Sequence, residues 1–198
     1  MKTLQTIAFV AAMGLLGACG NGSNNQDSVD SAKEANDSII DSQDSLSTIS
    51  TATPADKAST DFAVEAANGG MMEVELGKLA QTNASSQRVK DFGSMLVKDH
   101  SEAGDKLKAL AKRKDIVLPD SLGNDAQKHV KDLSKKKGKD FDKAYMDMMV
   151  SDHKKDISLF EKASKDAKDP ELKAFAAGTL PVLTKHLDSA RAISGKKD

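Results

Sequence analysis

The sequence predicts an all-α protein whose folded part is a four-helix bundle. From residue 61 onward, apolar residues recur with the spacing of amphipathic helices in four long segments. Two connections between these segments are short and the middle one is longer, which is typical of a bundle built from two helical hairpins. No stretch shows the sustained alternation of apolar and polar residues expected of a strand. These three observations favour a helical bundle over a fold that contains a sheet.

The helix boundaries follow from capping residues and helix breakers. Ser85 or Ser86 is suited to cap the second long helix, which has to end before Pro119. Asp169 and Pro170 supply a cap and a first-turn proline for the last helix. A short extra helix is expected in the middle connection. The predicted helices cover residues 61–84, 87–114, 122–135, 139–167 and 170–194.

The first 18 residues have the features of a secretory signal peptide. Lys2 precedes a mostly apolar run over residues 4–18, which is shorter than the about 20 residues that a transmembrane helix needs. Residues 16–19 read Leu-Gly-Ala-Cys, a pattern similar to the lipobox after which bacterial signal peptidase cuts and the new N-terminal cysteine is acylated. Cys19 is the only cysteine. We therefore expect fatty acyl chains on Cys19 to tie the mature protein to a membrane without crossing it.

The sequence divides into three parts. Residues 1–18 are the predicted signal peptide. Residues 19–59 consist mainly of small and polar residues, and such a segment buries too little apolar surface to offset its chain entropy. We therefore expect the lipidated cysteine to be followed by a disordered tether. The predicted helical domain covers residues 60–195.

Charge and motif content argue against several classes of function. The chain has 29 Lys and Arg against 30 Asp and Glu, and the loss of Lys2 with the signal peptide leaves 28 basic residues. This near balance gives no electrostatic reason to expect a nucleic-acid partner. The sequence also offers no nucleophile–base motif or phosphate-binding glycine loop in a supporting context, so it does not favour an enzyme.

Each predicted bundle helix turns ionisable side chains toward the interior. Counting 100° per residue places Asp99 and Asp152 near the centre of their apolar arcs, and His100 and His186 near an edge. At a rise of 1.5 Å per residue, counting from the connecting turns places these groups at similar levels near the middle of the bundle. The candidate metal ligands are Glu73, Asp99, His100, Asp152, His153 and His186.

Two interpretations of this cluster stay open at the level of sequence. Buried ionised groups are costly unless they are paired or bound to a metal, and imidazoles with carboxylates suit Zn, Fe, Mn or Cu. Asp99 and Asp152 would then be ligands or would orient the histidines. Alternatively, the same groups form a structural network that binds nothing. If the histidines at the edge of the arc instead face solvent, no such cluster forms. Asp156 lies one turn beyond Asp152, and His129 on the middle connection is expected to face solvent.

An internal repeat relates the second and third long helices. Residues 92–100 read FGSMLVKDH and residues 145–153 read YMDMMVSDH. Both segments begin with an aromatic residue and end with Asp-His. The repeat is explained either by duplication or by similar packing demands on two core helices.

A set of motifs spans the predicted helical domain. It comprises GGMMEVELGKLA at residues 69–80, Asp99-His100, Gly138, Phe141-Asp142, Tyr145, His153, Leu180-Pro181 and His186-Leu187. In these residues the chain resembles a bacterial family of unknown function, usually labelled a predicted outer-membrane protein, over about residues 58–194. The resemblance implies a ferritin-like four-helix bundle and no known activity.

The resemblance also shapes the functional hypothesis. The Glu-x-x-His motifs of ferritin-like di-iron proteins are absent, because Val97, Val150 and Leu183 stand three residues before the histidines. This argues against ferroxidase or oxygenase chemistry. The residue after the cysteine is Gly20, and in this the sequence resembles lipoproteins that are sent to the outer membrane. We therefore expect an outer-membrane anchor, with the domain periplasmic or surface-exposed. The sequence thus suggests an envelope protein that binds a metal or small ligand, or alternatively a non-catalytic envelope interaction or maintenance protein.

Overall fold

Six helices form in residues 27–46 and 56–195, the part of the chain that the computed structural model describes. They are α1 (Ser28–Leu46), α2 (Lys57–Asn83), α3 (Gln87–Arg113), α4 (Asn124–Ser134), α5 (Gly138–Asp166) and α6 (Pro170–Ser194). The helices from α2 onward match the predicted ones closely, except that α2 begins at Lys57 rather than at residue 61. Asp56 explains the earlier start, because its carboxylate accepts hydrogen bonds from the N–H groups of Ala58 and Ser59.

The four long helices form the predicted bundle. α2 and α3 make one hairpin and α5 and α6 make the other, while α2 also packs on α5 and α3 on α6. Each long helix therefore has two bundle neighbours, so that the four enclose a common interior. The short helix α4 packs on α2. The prediction of an all-α four-helix bundle with a short extra helix is confirmed.

The start of α5 lies beside the turn between α2 and α3. Ala84 and Gly138 form a bridge there, and the Asp142 carboxylate accepts hydrogen bonds from the backbone N–H groups of Ser85 and Ser86, each at 3.0 Å. Asp142 thus ties α5 to the two residues that precede α3, whereas the Ser86 side chain makes no capping bond. Because α3 and α5 begin at the same end of the bundle, they run parallel, and the connection between them returns along the bundle's length.

Two apolar clusters fill the bundle, one toward each end. The first includes Leu76, Leu96, Tyr145 and Leu187, and the second includes Phe62, Leu107, Phe160 and Leu183. On every long helix, the residues of the two clusters are separated by a polar residue that is also buried. Those polar residues are Glu73, His100, His153 and His186. The apolar cores thus enclose a polar layer at mid-bundle.

Close approach of α2 and α3 depends on two glycines. A Cβ atom at Gly77 would lie 2.6 Å from the Gly93 carbonyl oxygen, and one at Gly93 would lie 2.8 Å from the Gly77 carbonyl oxygen. Since neither backbone can yield to a methyl group, the two helices are in contact only because both positions lack a side chain. This contact lies about one turn from Glu73.

Helix α1 corrects the prediction that residues 19–59 are a disordered tether. Within the described part of that segment, residues 28–46 are helical and α1 packs on α2. Ala32 and Asn36, one turn apart, are both buried. The Asn36 amide donates to the Val117 carbonyl at 2.9 Å and accepts from the Val117 N–H at 2.8 Å. Amino-acid composition gave the wrong prediction because it reflects only how much apolar surface a segment can bury. Helix α1 is instead held by the paired Asn36 amide and by an ion pair between Lys33 and Glu65.

No helix among the residues described combines the length and the apolar character needed to cross a membrane. The predicted signal peptide at residues 1–18 and the predicted lipidation site Cys19 lie outside the described residues, as do residues 47–55.

The first prediction concerns Asn36. Replacing Asn36 with Ala removes both hydrogen bonds to the Val117 backbone, and the loss of two such bonds costs about 1–3 kcal/mol in total. Urea denaturation should show that loss in the free energy of unfolding. Ser42→Ala is the matched control, because the exposed Ser42 hydroxyl bonds only to a carbonyl of its own helix. Equal stabilities for the two variants would mean that α1 does not contribute to folding.

Candidate functional site

Each long helix contributes one buried ionisable side chain to the mid-bundle polar layer. Glu73 of α2, His153 of α5 and His186 of α6 are at most 1% exposed, and His100 of α3 is 8% exposed. Helical counting predicts His100 and His186 at the edge of the buried arc, but both are buried in the structure. The structure moves Asp99 outward, since 23% of that side chain is exposed. Each residue along a helix turns the side chain by 100°, so a small error in placing the buried arc exchanges its centre and its edge.

The three imidazoles form a compact triangle. The ring centroids are 5.8 Å apart for His100 and His153, 5.2 Å for His100 and His186, and 5.3 Å for His153 and His186. One nitrogen from each ring lies within 4.8 Å of the corresponding nitrogens of the other two. The side chains thus present three nitrogen atoms to a common point.

Backbone geometry fixes the tautomer of His153. Its Nδ1 lies 2.9 Å from the Met149 carbonyl oxygen, one helical turn earlier. A carbonyl oxygen only accepts hydrogen bonds, so Nδ1 must carry the proton. In the neutral ring the lone pair is then on Nε2, the nitrogen that is not bonded to the Met149 carbonyl.

Carboxylates hold the other two rings. Asp99 Oδ2 lies 3.0 Å from His186 Nε2, and Glu73 Oε2 lies 3.0 Å from His100 Nδ1. Each carboxylate favours the proton on the nitrogen that it faces. Glu73 Oε1 is also 3.3 Å from His153 Nδ1, but that N–H is directed to the Met149 carbonyl, so Glu73 Oε1 has no hydrogen-bond partner.

The remaining ring nitrogens are buried and unpaired. Within the described residues, His100 Nε2, His153 Nε2 and His186 Nδ1 have no hydrogen-bond partner. These are the nitrogens that carry the lone pairs in the tautomers assigned above. A buried polar atom left without a partner costs about 1–3 kcal/mol, and three in one place call for a common explanation.

Burial keeps the imidazoles neutral. It lowers the pKa of His100 to about 4 and lowers the pKa values of His153 and His186 as well. Nearby acids oppose this effect, Asp156 and Asp99 at His100 and Glu73 at His153, but they do not reverse it. At neutral pH all three rings therefore keep a free lone pair.

The acids of the layer are shifted in the opposite direction. Burial raises the pKa of Glu73 to about 7, although the attraction of His153 partly counters it. Burial and the charge of Glu73 together raise the pKa of Asp156 to about 8. Several carboxyl groups share this small volume, and a cation bound among them would favour their ionised forms.

The other predicted residues lie at the margin of the site. Asp152 pairs with Lys155 at 3.6 Å, with 13% of its side chain exposed, and it is not among the groups that converge with the imidazoles. His129 on α4 is exposed, as expected. Asp156 was not among the candidate ligands, although its position one turn beyond Asp152 could have indicated it. The Met149 carbonyl gave no sequence signal, because any residue supplies one.

The internal repeat gains a structural meaning at this site. Phe92 packs edge-on against Tyr145 with ring centroids 6.1 Å apart, so the first residues of the two repeats meet, as do the last residues, His100 and His153. Among the residues that the structure describes, the buried Tyr145 hydroxyl has no hydrogen-bond partner, and burial together with the charge of Glu73 raises its pKa. Aromatic rings thus close one side of the layer.

Comparison with known proteins identifies a family and a similar fold but gives no activity. The family described as "Domain of unknown function (DUF4142)" matches residues 45–193. A crystal structure of a DUF305 fragment from Deinococcus radiodurans is similar to this chain with a TM-score of 0.64 and 12% identity, over 72% of this chain and 99% of the fragment. At that identity the likeness shows a shared helical fold alone. No curated protein matches the chain.

The second prediction concerns Glu73 and pH. The pKa of Glu73 is about 7 in the folded protein and 4.5 in a model peptide, so the folded state binds the proton more tightly. Glu73 therefore destabilises the fold progressively as pH rises from about 4.5 to 7, by on the order of 3 kcal/mol in total. Glu73→Gln lacks this group, so its stability relative to wild type should rise over that range, as measured by urea denaturation with a chelator present.

Glu75→Gln is the control for this measurement. Glu75 is on the same helix but is half exposed and paired with Lys78, so its replacement should leave the free energy of unfolding close to that of wild type. A difference between Glu73→Gln and wild type that stays flat from pH 4.5 to 7.5 would contradict the burial of an ionisable Glu73.

Proposed function

The chain belongs to the domain-of-unknown-function family DUF4142, and we propose that it binds one transition-metal ion through His100, His153 and His186 as a lipid-anchored protein of the cell envelope. One observation carries the metal-binding part. Within the described residues, the three buried imidazoles each bring one nitrogen within 4.8 Å of the other two rings' ligand nitrogens, and each ring has one nitrogen without a hydrogen-bond partner. A single metal ion would satisfy all three at once.

The surroundings of the histidines are those that metal-binding imidazoles require. Each ring has its other nitrogen held, by Glu73, by the Met149 carbonyl or by Asp99. Such partners fix the tautomer and the orientation of the ring and increase its basicity. The carboxyl groups of Glu73, Asp99 and Asp156 also supply negative charge near the ion. A structural network alone would leave the three lone pairs without a role.

The donor set narrows the class of ion. Neutral imidazoles suit Zn, Cu, Fe or Ni, whereas Mg and Ca prefer oxygen ligands. Three histidines leave a fourth coordination position open, as in zinc centres that bind water or substrate. Metal–nitrogen bonds of about 2.0–2.1 Å require ligand nitrogens about 3.4 Å apart, so from a separation of at most 4.8 Å each would shift by less than about 1 Å. Side-chain rotation suffices for that.

The third prediction is a metal titration. The full-length chain, purified in detergent and stripped with a chelator, should bind one equivalent of Zn²⁺ or Cu²⁺ with a dissociation constant below 1 μM, an order-of-magnitude expectation for a preformed nitrogen site. Loss of a ligand in His153→Ala should weaken binding at least about 100-fold. Glu73→Gln keeps all three ligands and should weaken it about 10–100-fold. Isothermal calorimetry measures all three.

His129→Ala is the control, because His129 is exposed on α4 and lies outside the triangle. It should bind metal as wild type does. Co²⁺ loading adds a spectroscopic measurement, since a low-symmetry nitrogen site gives visible absorption bands that His153→Ala should lack. If wild type and His153→Ala bind equally, or if neither binds, the cluster is a structural network and this proposal fails.

The envelope location is supported by the sequence around Cys19. A cationic start, an apolar run and Leu-Gly-Ala-Cys at residues 16–19 are together typical of a lipoprotein precursor. With α1 beginning at Ser28, residues 20–26 would span at most about 25 Å between the lipid and the helical domain. The predicted tether is thereby shortened, so the domain would lie close to the membrane, with the outer membrane the expected one.

The fourth prediction tests this anchor. In cells given an alkyne-labelled fatty acid, wild-type chain should carry the label and sediment with membranes, and Cys19→Ser should lose the label and leave the membrane fraction or accumulate uncleaved. Ala18→Gly keeps a small residue before the cysteine and is the control that should stay labelled. An unlabelled wild-type chain would exclude acylation while leaving the metal site untouched.

A further inference from the structure

A cavity of about 200 Å³ opens beside the polar layer. Its walls come from α2, α3, α5 and α6 and from the segment that follows α3, and they include Met71, Leu107, Leu118 and Phe160. Its inner end is formed by Glu73, His100 and Asp156, the same acids and imidazole that belong to the polar layer. We call this space the side cavity. Its lining is mostly apolar, with polar residues that include Glu73, His100, Asp156 and Thr179.

Two glycines leave the side cavity open. A Cβ atom at Gly70 or Gly104 would meet no atom within 4 Å, and both residues line the cavity. They differ from Gly77 and Gly93, where a side chain would strike backbone. A glycine inside a helix costs about 1 kcal/mol relative to alanine. Since close helix packing does not require Gly70 and Gly104, their visible effect is to preserve the volume of the cavity.

The outer wall of the side cavity is anchored by α1. Leu118 and Pro119 line the cavity, and the preceding Val117 has both its N–H and its carbonyl bonded to the buried Asn36. This pairing holds the segment after α3 in place over the cavity mouth. The cavity is therefore a built feature, with one wall fixed by a helix that lies mostly outside the family match at residues 45–193.

We propose that the side cavity binds a small neutral organic molecule of single-ring size that carries one hydroxyl or similar polar group. An apolar cavity of roughly 150 Å³ accommodates benzene, so about 200 Å³ suits a substituted ring. The ring would lie against Met71, Leu107 and Phe160. Its polar group would lie at the inner end, where the partly buried Asp156 carboxyl group lines the cavity and can form a hydrogen bond with it.

This inference does not require the proposed metal. In the metal-free protein the hydroxyl would bond to the Asp156 carboxyl group at the inner end. In a metal-loaded protein His100 would hold the ion and would still line the cavity, so a bound molecule would lie beside a metal ligand. Binding is therefore tested with and without Zn²⁺, and failure of metal binding leaves the result interpretable.

The fifth prediction uses phenol as the probe and full-length chain labelled with ¹³C at its methionine methyl groups. Met71 lines the side cavity, whereas Met146 is buried in the apolar cluster on the other side of the polar layer. Phenol should shift the Met71 signal saturably, with half-saturation at or below the low-millimolar range, and should leave Met146 unchanged. Toluene fills the same volume without a hydroxyl, so it should bind at least fivefold more weakly.

Gly104→Leu provides the variant that fills the cavity. The new side chain enters open space and replaces a helical glycine, so the variant should fold and should bind phenol at least tenfold more weakly. Gly178→Leu is the matched control, because Gly178 is exposed within α6, a Cβ atom there meets nothing within 4 Å, and it does not line the cavity. It should bind phenol as wild type does.

Three results would overturn the inference. The first is the absence of a saturable Met71 shift at phenol concentrations up to 10 times the expected half-saturation, on the order of tens of millimolar. The second is equal phenol binding by wild type and Gly104→Leu. The third is toluene binding as tight as phenol binding. Circular dichroism and a thermal melt of Gly104→Leu confirm that any loss of binding occurs in folded protein.

Discussion

A polar layer lies between two apolar cores and consists of Glu73, His100, His153 and His186. Burying these ionisable groups costs free energy, which other interactions in the bundle have to offset. Imidazoles in such a place lose their charge, and their pKa values fall because protonation would put a cation in a poorly solvated interior. Neutral rings still have two nitrogens each. The described part of the chain supplies a partner for one nitrogen of each ring and none for the other, so it meets half of the hydrogen-bonding requirement of the rings.

The arrangement of the four long helices explains why the layer is not symmetric. α3 and α5 run parallel and carry the repeated segments, so His100 and His153 are matched, and Phe92 and Tyr145 are matched beside them. Their neighbours differ, because α2 supplies a carboxylate where α6 supplies a third imidazole. Three imidazoles converge and the Glu73 carboxylate contacts two of them, His100 and His153, an arrangement that a fully symmetric duplication would not give. This asymmetry separates the site from the paired carboxylate sites of di-iron bundles.

Helix α1 links the N-terminal region to the polar layer through a short chain of contacts. Asn36 pairs with the Val117 backbone, the next two residues line the side cavity, and the cavity ends at His100. A segment whose composition suggested a passive spacer is thus part of the structure around the site. Its buried surface is small, but a backbone group bonded at both its N–H and its carbonyl is held in one position, which a purely apolar contact would not achieve.

The sequence by itself determined the helical class, the helix boundaries to within a few residues, and the helices that carry the polar groups. Those features depend on local periodicity and capping, which neighbouring residues specify. Tertiary structure alone decided which ionisable groups converge. Helical counting exchanged Asp99 and His100 between edge and centre, because a shift of one residue rotates a side chain by 100° and packing sets that rotation. It also gave no indication of the Met149 carbonyl, the order of α1 or the side cavity. Each of these arises from contacts between segments distant in the chain, where shape and hydrogen-bond pairing, rather than composition, fix the outcome.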